Sequence, residues 1–140
     1  MKRKKILVVD DEPGFTRLLK LNLEGTDDYV VRLETWAERA LGTARAFEPD
    51  LILLDVVMPR LRGDQVAAQL RADAKVGTTP VVFLSAVVDK RQVRESDGLI
   101  DGQPFIAKPA SVEEIDEGIE RHLTGRPSQG SSPATLDCSA

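Results

Sequence analysis

Short runs of apolar residues separated by amphipathic stretches set the rhythm of this chain. Ile6 to Val9, Leu51 to Leu54 and Val81 to Leu84 are apolar at every position, and a shorter run, Phe105 to Ala107, follows. Unbroken apolar runs of this length are expected of parallel strands covered on both faces. A weaker strand is predicted over Tyr29 to Leu33. Between these runs the apolar positions recur at helical spacing. Phe15, Leu18, Leu19 and Leu23 follow Pro13, which suits a first helical turn, and Gly25 closes that helix. Thr35 with Glu38 reads as a capping box for a second helix burying Ala37, Ala40, Leu41 and Ala44, and Pro49 stops it. A third helix is predicted from about Asp64 to Arg71 around Val66, Ala67 and Leu70. Asp89 to Gly102 gives a short helical stripe of Val93, Leu99 and Ile100 among many charges. Ser111 with Glu114 is a second capping box, opening a last helix that turns Val112, Ile115, Ile119 and Leu123 inward. Strands alternating with helices predict repeated βα units on a parallel sheet.

The polar residue that ends each run carries the chemistry. Asp10 and Asp11 follow the first strand, Asp55 the third, Ser85 the fourth and Lys108 the fifth. Ligands of such sheets bind in the crevice at the carboxyl ends of the strands, so these residues should converge although they are far apart in sequence. Asp55 stands alone at the end of the central strand and is the candidate nucleophile toward a phosphoryl group. Such a reaction requires the charge repulsion to be cancelled, which a hard divalent cation bridging Asp10, Asp11 and Asp55 would do. The Lys108 ammonium and the Ser85 hydroxyl would serve the remaining phosphoryl oxygens. Three carboxylates together repel one another by roughly a few kcal/mol, so magnesium should bind before phosphate arrives. Taken singly, each residue has a plainer reading. Aspartates before Pro13 cap helices, Asp55 suits a turn, and Lys108 before Pro109 suits a solvated lysine. Capping alone would rarely put five suitable residues at the ends of four strands.

Composition narrows the class. The chain has 140 residues, enough for one domain with a real core, and 41% hydrophobic with 30% charged content is ordinary for a globular protein. A formal net charge of -4 argues against nucleic-acid binding through overall charge. The basic cluster Lys2, Arg3, Lys4 and Lys5 reads as a solvated lead-in to the first strand. The apolar run after it is too short for a signal peptide, and no stretch approaches membrane-spanning length. The single cysteine, Cys138, suggests neither a disulfide framework nor a zinc site, and a reducing cytoplasm fits best.

The segments VVDDEP (Val8 to Pro13), LILLDVVMP (Leu51 to Pro59) with Gly63 beyond, VVFLSA (Val81 to Ala86) and PFIAKP (Pro104 to Pro109) resemble the receiver domain of two-component response regulators. Chemotaxis-regulator-like receivers share this pattern, and the likeness covers about residues 4 to 123. It implies an α/β, flavodoxin-like, doubly wound five-stranded parallel sheet in the order 2-1-3-4-5 with five helices. It further implies that Asp55 accepts a phosphoryl group from the phosphohistidine of a sensor histidine kinase or a histidine phosphotransfer domain. Magnesium, with manganese as an alternative, would be held by Asp11, by Asp10 through water, by Asp55 and by the backbone carbonyl of Val57. Ser85, the Ala86 amide and Lys108 would bind the phosphoryl group, and Phe105 would turn inward behind Ser85 as a two-state element. Pro109 would follow a cis peptide bond. On this reading the chain is a signalling domain rather than an enzyme, catalysing only its own phosphorylation and dephosphorylation.

Rival classes lack their residues. A haloacid dehalogenase-type phosphatase needs a second Asp two positions after its nucleophile, where this chain has Val57. A nucleotide-binding enzyme needs a glycine-rich phosphate loop, and Asp10 to Gly14 is not one. A receiver-like module that is never phosphorylated would have lost Asp55, an acidic-pair member or Lys108, and all are present. Two departures from the family pattern bear on partners: Gly98 to Gln103 lacks the usual turn, and Ala110 replaces the Phe that often follows Lys-Pro. The face made by the fourth helix, fifth strand and fifth helix pairs Lys90, Arg91 and Arg94 with Glu113, Glu114, Asp116, Glu117 and Glu120, a charge pattern that suits a homodimer. Val57 and Val87 beside the acceptor should slow its hydrolysis. No direct nucleic-acid or membrane contact is expected of this domain. Residues 1–123 form the expected receiver, and 124–140, rich in Ser, Gly and Pro, a disordered tail or truncated linker.

Overall fold

Five of the apolar runs pair side by side as parallel strands in a computed structural model that describes residues 3–56, 58, 61–85, 99–100, 103–107 and 111–124. In chain order the elements are β1 (Lys4–Val9), α1 (Pro13–Glu24), β2 (Tyr29–Glu34), a 3-10 turn (Ala37–Arg39), α2 (Ala40–Phe47), β3 (Leu51–Asp55) and α3 (Gly63–Ala72). They continue with β4 (Val81–Ser85), β5 (Leu99–Ile100), β6 (Gln103–Ala107) and α4 (Val112–Thr124). The sheet order is β2-β1-β3-β4-β6-β5. With β6 as the fifth parallel strand, this is the expected 2-1-3-4-5 arrangement. The two-residue β5 is added antiparallel to β6, with Leu99 opposite Pro104 and Ile100 opposite Gln103.

Side chains alternate across a strand, so each apolar run feeds two cores at once. Leu7, Val9, Ile52, Leu54, Val81 and Phe83 face α2 and α3, packing with Ala40, Ala44, Val66 and Leu70. Ile6, Val8, Leu51, Leu53, Val82 and Leu84 face α1 and α4, packing with Leu19, Leu23, Ile115 and Ile119. Burying one such side chain fully contributes about 1.5–3 kcal/mol, which explains why the central strands carry no polar residue before their ends.

The elements differ from expectation in three places. The second helix opens as the 3-10 turn, with Trp36 at its N-cap and no side-chain cap, so Thr35 and Glu38 do not form a capping box. Gly25 closes α1 as expected, in helical conformation, and the left-handed residue after it is Asp27, at φ 66°. Glu48, also left-handed at φ 54°, ends α2 before Pro49 acts. Leu99 and Ile100 form strand β5 rather than a helical stripe. By contrast the Ser111 capping box is present: the Ser111 amide donates to Glu114 Oε1 at 2.9 Å and the Glu114 amide to Ser111 Oγ at 3.1 Å. Within the basic lead-in, exposed at Arg3 and Lys4, Arg3 and Lys5 make side-chain contacts to the fold. Lys5 donates its amide to Asp50 Oδ2 and its Nζ to the Phe47 carbonyl, and Arg3 pairs with Asp27. Of the expected helical stripe from Asp89 to Gly102, all but Leu99 and Ile100 lies outside the described residues, as does the tail from 125.

Candidate metal and phosphoryl centre

The sheet reverses direction of winding at β1, which has β2 on one side and β3 on the other. A crevice opens at such a switch point beyond the carboxyl ends of the strands. Asp10 and Asp11 follow β1 there, and Asp55 is the last residue of β3. One carboxylate oxygen from each of the three lies within 4.8 Å of the others. Asp10 and Asp55 are buried, at 0% and 5% exposure, whereas Asp11 is partly open.

Backbone bonds hold this arrangement. The ladder continues one residue past each strand: the Asp10 amide donates to the Glu34 carbonyl at 3.1 Å, and the Val56 amide to the Leu84 carbonyl at 3.0 Å. Asp10 Oδ1 accepts from the Glu12 amide at 3.0 Å, which fixes the carboxylate against the turn into α1. After Asp55 the chain turns into α3, whose first residue, Gly63, donates its amide to the Val56 carbonyl at 2.9 Å. That turn is so close that a Cβ on Gly63 would sit 2.5 Å from the Asp55 carbonyl oxygen and 2.7 Å from Val56 Cα. Met58, buried in the core beside α3, anchors the same turn from inside.

Carboxylate oxygens within 4.8 Å repel by at least about 3 kcal/mol per pair at an effective dielectric near 20. Hard oxygen donors, negative and converging, are the donor set that Mg2+ and Ca2+ take. The acidic triad therefore fits a hard divalent cation. Ser85, fully buried, ends β4 beside these strands, and its pairing register places it opposite Ala107 of β6. Phe105 lies opposite Phe83, with ring centroids 5.1 Å apart and planes at 28°. Of the expected site residues, Asp10, Asp11, Asp55, Ser85 and Phe105 are thus located at or next to the carboxyl ends of β1, β3, β4 and β6. Val57, Ala86, Lys108 and Pro109 lie outside the described residues, as does Val87.

A doubly wound sheet with a buried aspartate cluster at its switch point defines a signalling domain of the phosphoacceptor kind. The model of the response regulator receiver domain matches residues 6–120, and the chain belongs to that family. It is 35% identical over 131 residues to the response regulator Rre1 of Synechocystis sp., covering 92% of this chain and 54% of that protein. It is 37% identical over 124 residues to the DNA-binding response regulator MtrA of Mycolicibacterium smegmatis, covering 86% of this chain and 51% of the relative. The chain therefore spans about half the length of the curated relatives it matches. Among solved structures, the receiver domain of the sensor histidine kinase PA1611 from Pseudomonas aeruginosa aligns with TM-score 0.71 and 25% identity, over 89% of this chain and 100% of the other. That structure has a magnesium ion coordinated in its active-site cleft.

Two site features escaped the sequence reading. Phe83, the stacking partner of Phe105, sits in a run without polar residues and so carries no facial signal; counting two residues back from Ser85 would have placed it. The hairpin of β5 and β6 was signalled by Asp101 and Gly102, since two residues of that type between apolar runs strongly favour a tight hairpin.

Proposed function

We propose that Asp55 accepts a phosphoryl group from the phosphohistidine of a sensor histidine kinase or histidine phosphotransfer domain, and that the modified domain switches a partner or output. The observation that carries this reading is the cluster of Asp10, Asp11 and Asp55 oxygens within 4.8 Å of one another, largely buried, where two parallel strands end. Asp10, Asp11, Asp55 and the carbonyl of Val57 would hold Mg2+, or Mn2+ in its place. A divalent cation bound there neutralises charge between a carboxylate nucleophile and an incoming phosphoryl group. Asp55 attacks phosphorus in line with the departing imidazole of the donor, so the P–N bond breaks as the P–O bond forms. Ser85 and the Ala86 amide donate to phosphoryl oxygens, Lys108 pairs with another, and Phe105 moves behind Ser85. The domain thus promotes its own phosphorylation and later hydrolysis, with Val57 and Val87 restricting the water.

Residues 1–123 act on this reading as the receiver unit, in the cytoplasm where histidine kinases present their phosphoryl groups. No helix among the described residues is long and apolar enough to cross a membrane. The net charge of -4 favours protein contacts over direct nucleic-acid binding by this domain, so DNA contact of the kind named for the MtrA relative would belong to another part of a longer regulator. Homodimerisation through the face around β6 and α4 rests on the charge pattern of the sequence. The central test is acetyl phosphate with Mg2+, read by intact mass. Wild type should gain one phosphoryl adduct and Asp55→Asn none. An adduct on both proteins, or on neither, would overturn the assignment.

A further inference from the structure

Asp10 stands one residue beyond β1. Its amide donates to the Glu34 carbonyl at 3.1 Å, and its Oδ1 accepts from the Glu12 amide at 3.0 Å. Glu34 is the last residue of β2, the edge strand of the sheet, which has a strand neighbour on one side only. Strand ends open locally at little cost, so a carbonyl there is a firm acceptor only where something else holds the strand end.

The Glu34 side chain supplies that hold. Tyr29, Val31 and Leu33 pack toward α1 and α4, so alternation turns Glu34 to the other face, toward α2. There its Oε1 accepts from the Thr43 hydroxyl at 2.6 Å and its Oε2 from the Trp36 amide at 3.0 Å. A hydroxyl-to-carboxylate bond this short is of the charge-assisted kind, roughly twice as strong as a neutral one. Thr43 lies on α2 beside Ala44, which is fully buried against the sheet, so the bond is anchored in the core. Glu34 is not among the described carboxylates that gather within reach of one ion, which are Asp10, Asp11 and Asp55. Its side chain reaches α2 while its carbonyl reaches Asp10, and one residue thus joins the helix to the pocket.

We propose that Glu34 is a positioning residue for the cation site: its carboxylate clamps the end of β2 to α2, and its carbonyl thereby holds Asp10 in the triad. This rests on the reading of that triad as a Mg2+ site. Outer partners that orient a ligand through hydrogen bonds change metal affinity by about 10–100-fold when removed. Glu34 acts on the backbone of Asp10 rather than on its carboxylate, so the lower end of that range applies. Arg32 provides the contrast of a tie between the same strand and helix that does not touch Asp10. Its guanidinium lies over the Phe47 ring of α2 at 5.0 Å, two residues before Glu34 on β2.

The test is calorimetric titration with Mg2+ alone, with amide exchange followed at Asp10 in the metal-free protein. Glu34→Ala should weaken Mg2+ binding and speed Asp10 exchange, each about tenfold. Thr43→Val, which keeps the volume and every charge, should move both in the same direction, and it decides if Glu34→Ala does not fold. Glu34→Gln removes the charge but keeps an acceptor for the Trp36 amide and a donor for the Thr43 oxygen, so it should bind within about twofold of wild type. Arg32→Ala should match wild type in both measurements. Wild-type binding and exchange in Glu34→Ala and Thr43→Val would overturn the proposal. So would a Glu34→Gln as weak as Glu34→Ala, which marks a charge effect, or an equally defective Arg32→Ala, which marks general loosening. A wild type that binds no Mg2+ would overturn the reading of the triad, and the role of Glu34 with it.

Discussion

Gly63 is glycine for reasons of space, and replacing it tests how the acidic pocket is held. A Cβ there would lie 2.5 Å from the Asp55 carbonyl oxygen and 2.7 Å from Val56 Cα, both backbone atoms without rotamer freedom. Real Cβ contacts begin near 3.0 Å, so the chain between Asp55 and Val56 must retreat from α3 by about 0.5 Å. Forcing such a shift costs about 1–3 kcal/mol, against which alanine gains about 0.5–1 kcal/mol over glycine inside a helix. Gly63→Ala should therefore lose about 1–2 kcal/mol, a drop in Tm of several degrees. Stability alone would not distinguish a pocket residue from any crowded glycine, and Gly77 provides the control. Its Cβ would lie 2.5 Å from the Asp73 carbonyl oxygen and 2.8 Å from that of Arg71, an equal clash remote from the carboxylates. Gly14, on the first turn of α1 with open space around it, is the second control and should gain slightly from alanine.

The two crowded sites should part company in function. A displacement of half an ångström exceeds what a preorganised site tolerates, so Gly63→Ala should weaken Mg2+ binding and slow acetyl phosphate labelling by about tenfold. Gly77→Ala should match it in Tm loss yet bind and react as wild type, and Gly14→Ala should bind and react as wild type with a slightly raised Tm. Calorimetric Mg2+ titration, intact-mass labelling and thermal unfolding read these outcomes. Wild-type affinity and labelling in Gly63→Ala, or equal defects in Gly63→Ala and Gly77→Ala, would refute the claim that α3 positions Asp55 through this contact.

Two other perturbations have distinct readouts. Tyr29, the only tyrosine, is buried and donates its hydroxyl to Asp116 Oδ1 at 2.7 Å; burial first, then Asp116 and other carboxylates, raise its pKa well above the ordinary value. Absorbance at 295 nm should show no phenolate near pH 10 while the protein is folded, and the stability this proton contributes should be present below pH about 10 and decline above it. Tyr29→Phe should remove that slope at a cost of about 1.5 kcal/mol, whereas ionisation of wild type near pH 10 would contradict the burial and bonding. Phe83→Leu should leave acetyl phosphate labelling intact while abolishing the change in Phe105 aromatic resonances on phosphorylation; a normal Phe105 response would show that the ring is moved by another route.

How much of this was legible follows from where the signal was strong. β3 and β4 could be read almost to the residue because burial on both faces removes polar residues until the strand ends, and that end is where Asp55 and Ser85 stand. Parallel order then carried Asp10 and Asp55 into one crevice without any contact having to be guessed. The helix caps were less secure. Ser111 and Glu114 make their reciprocal bonds, while the same pattern at Thr35 and Glu38 does not, because Trp36 occupies the N-cap and the chain enters α2 through a 3-10 turn. A capping pattern is a local preference that neighbouring packing can override. Leu99 and Ile100 were misjudged for a related reason: two apolar residues have no period, and the Asp-Gly pair after them was the better signal. The spatial need for Gly63 had no sequence signal beyond the glycine itself, since it arises between two backbones brought together by the fold.

The position of Ser85 also constrains how a signal could leave the pocket. Alternation puts Ser85 on the same side of β4 as Phe83 and Val81, facing α2 and α3, whereas Asp55 shares the face of Leu51 and Leu53. Drawing the Ser85 hydroxyl toward a phosphoryl group on Asp55 therefore pulls the end of β4 across the sheet rather than along it. Phe83, two residues back on the same side, is 5% exposed and enclosed by the core, so it has no empty space into which to absorb the movement. Its neighbour Phe105 is stacked on it at 5.1 Å and is only partly buried, which leaves Phe105 as the ring free to yield. On the proposed reading, that asymmetry would set the order of events: the hydroxyl would move first, the core ring would transmit, and the peripheral ring would change place.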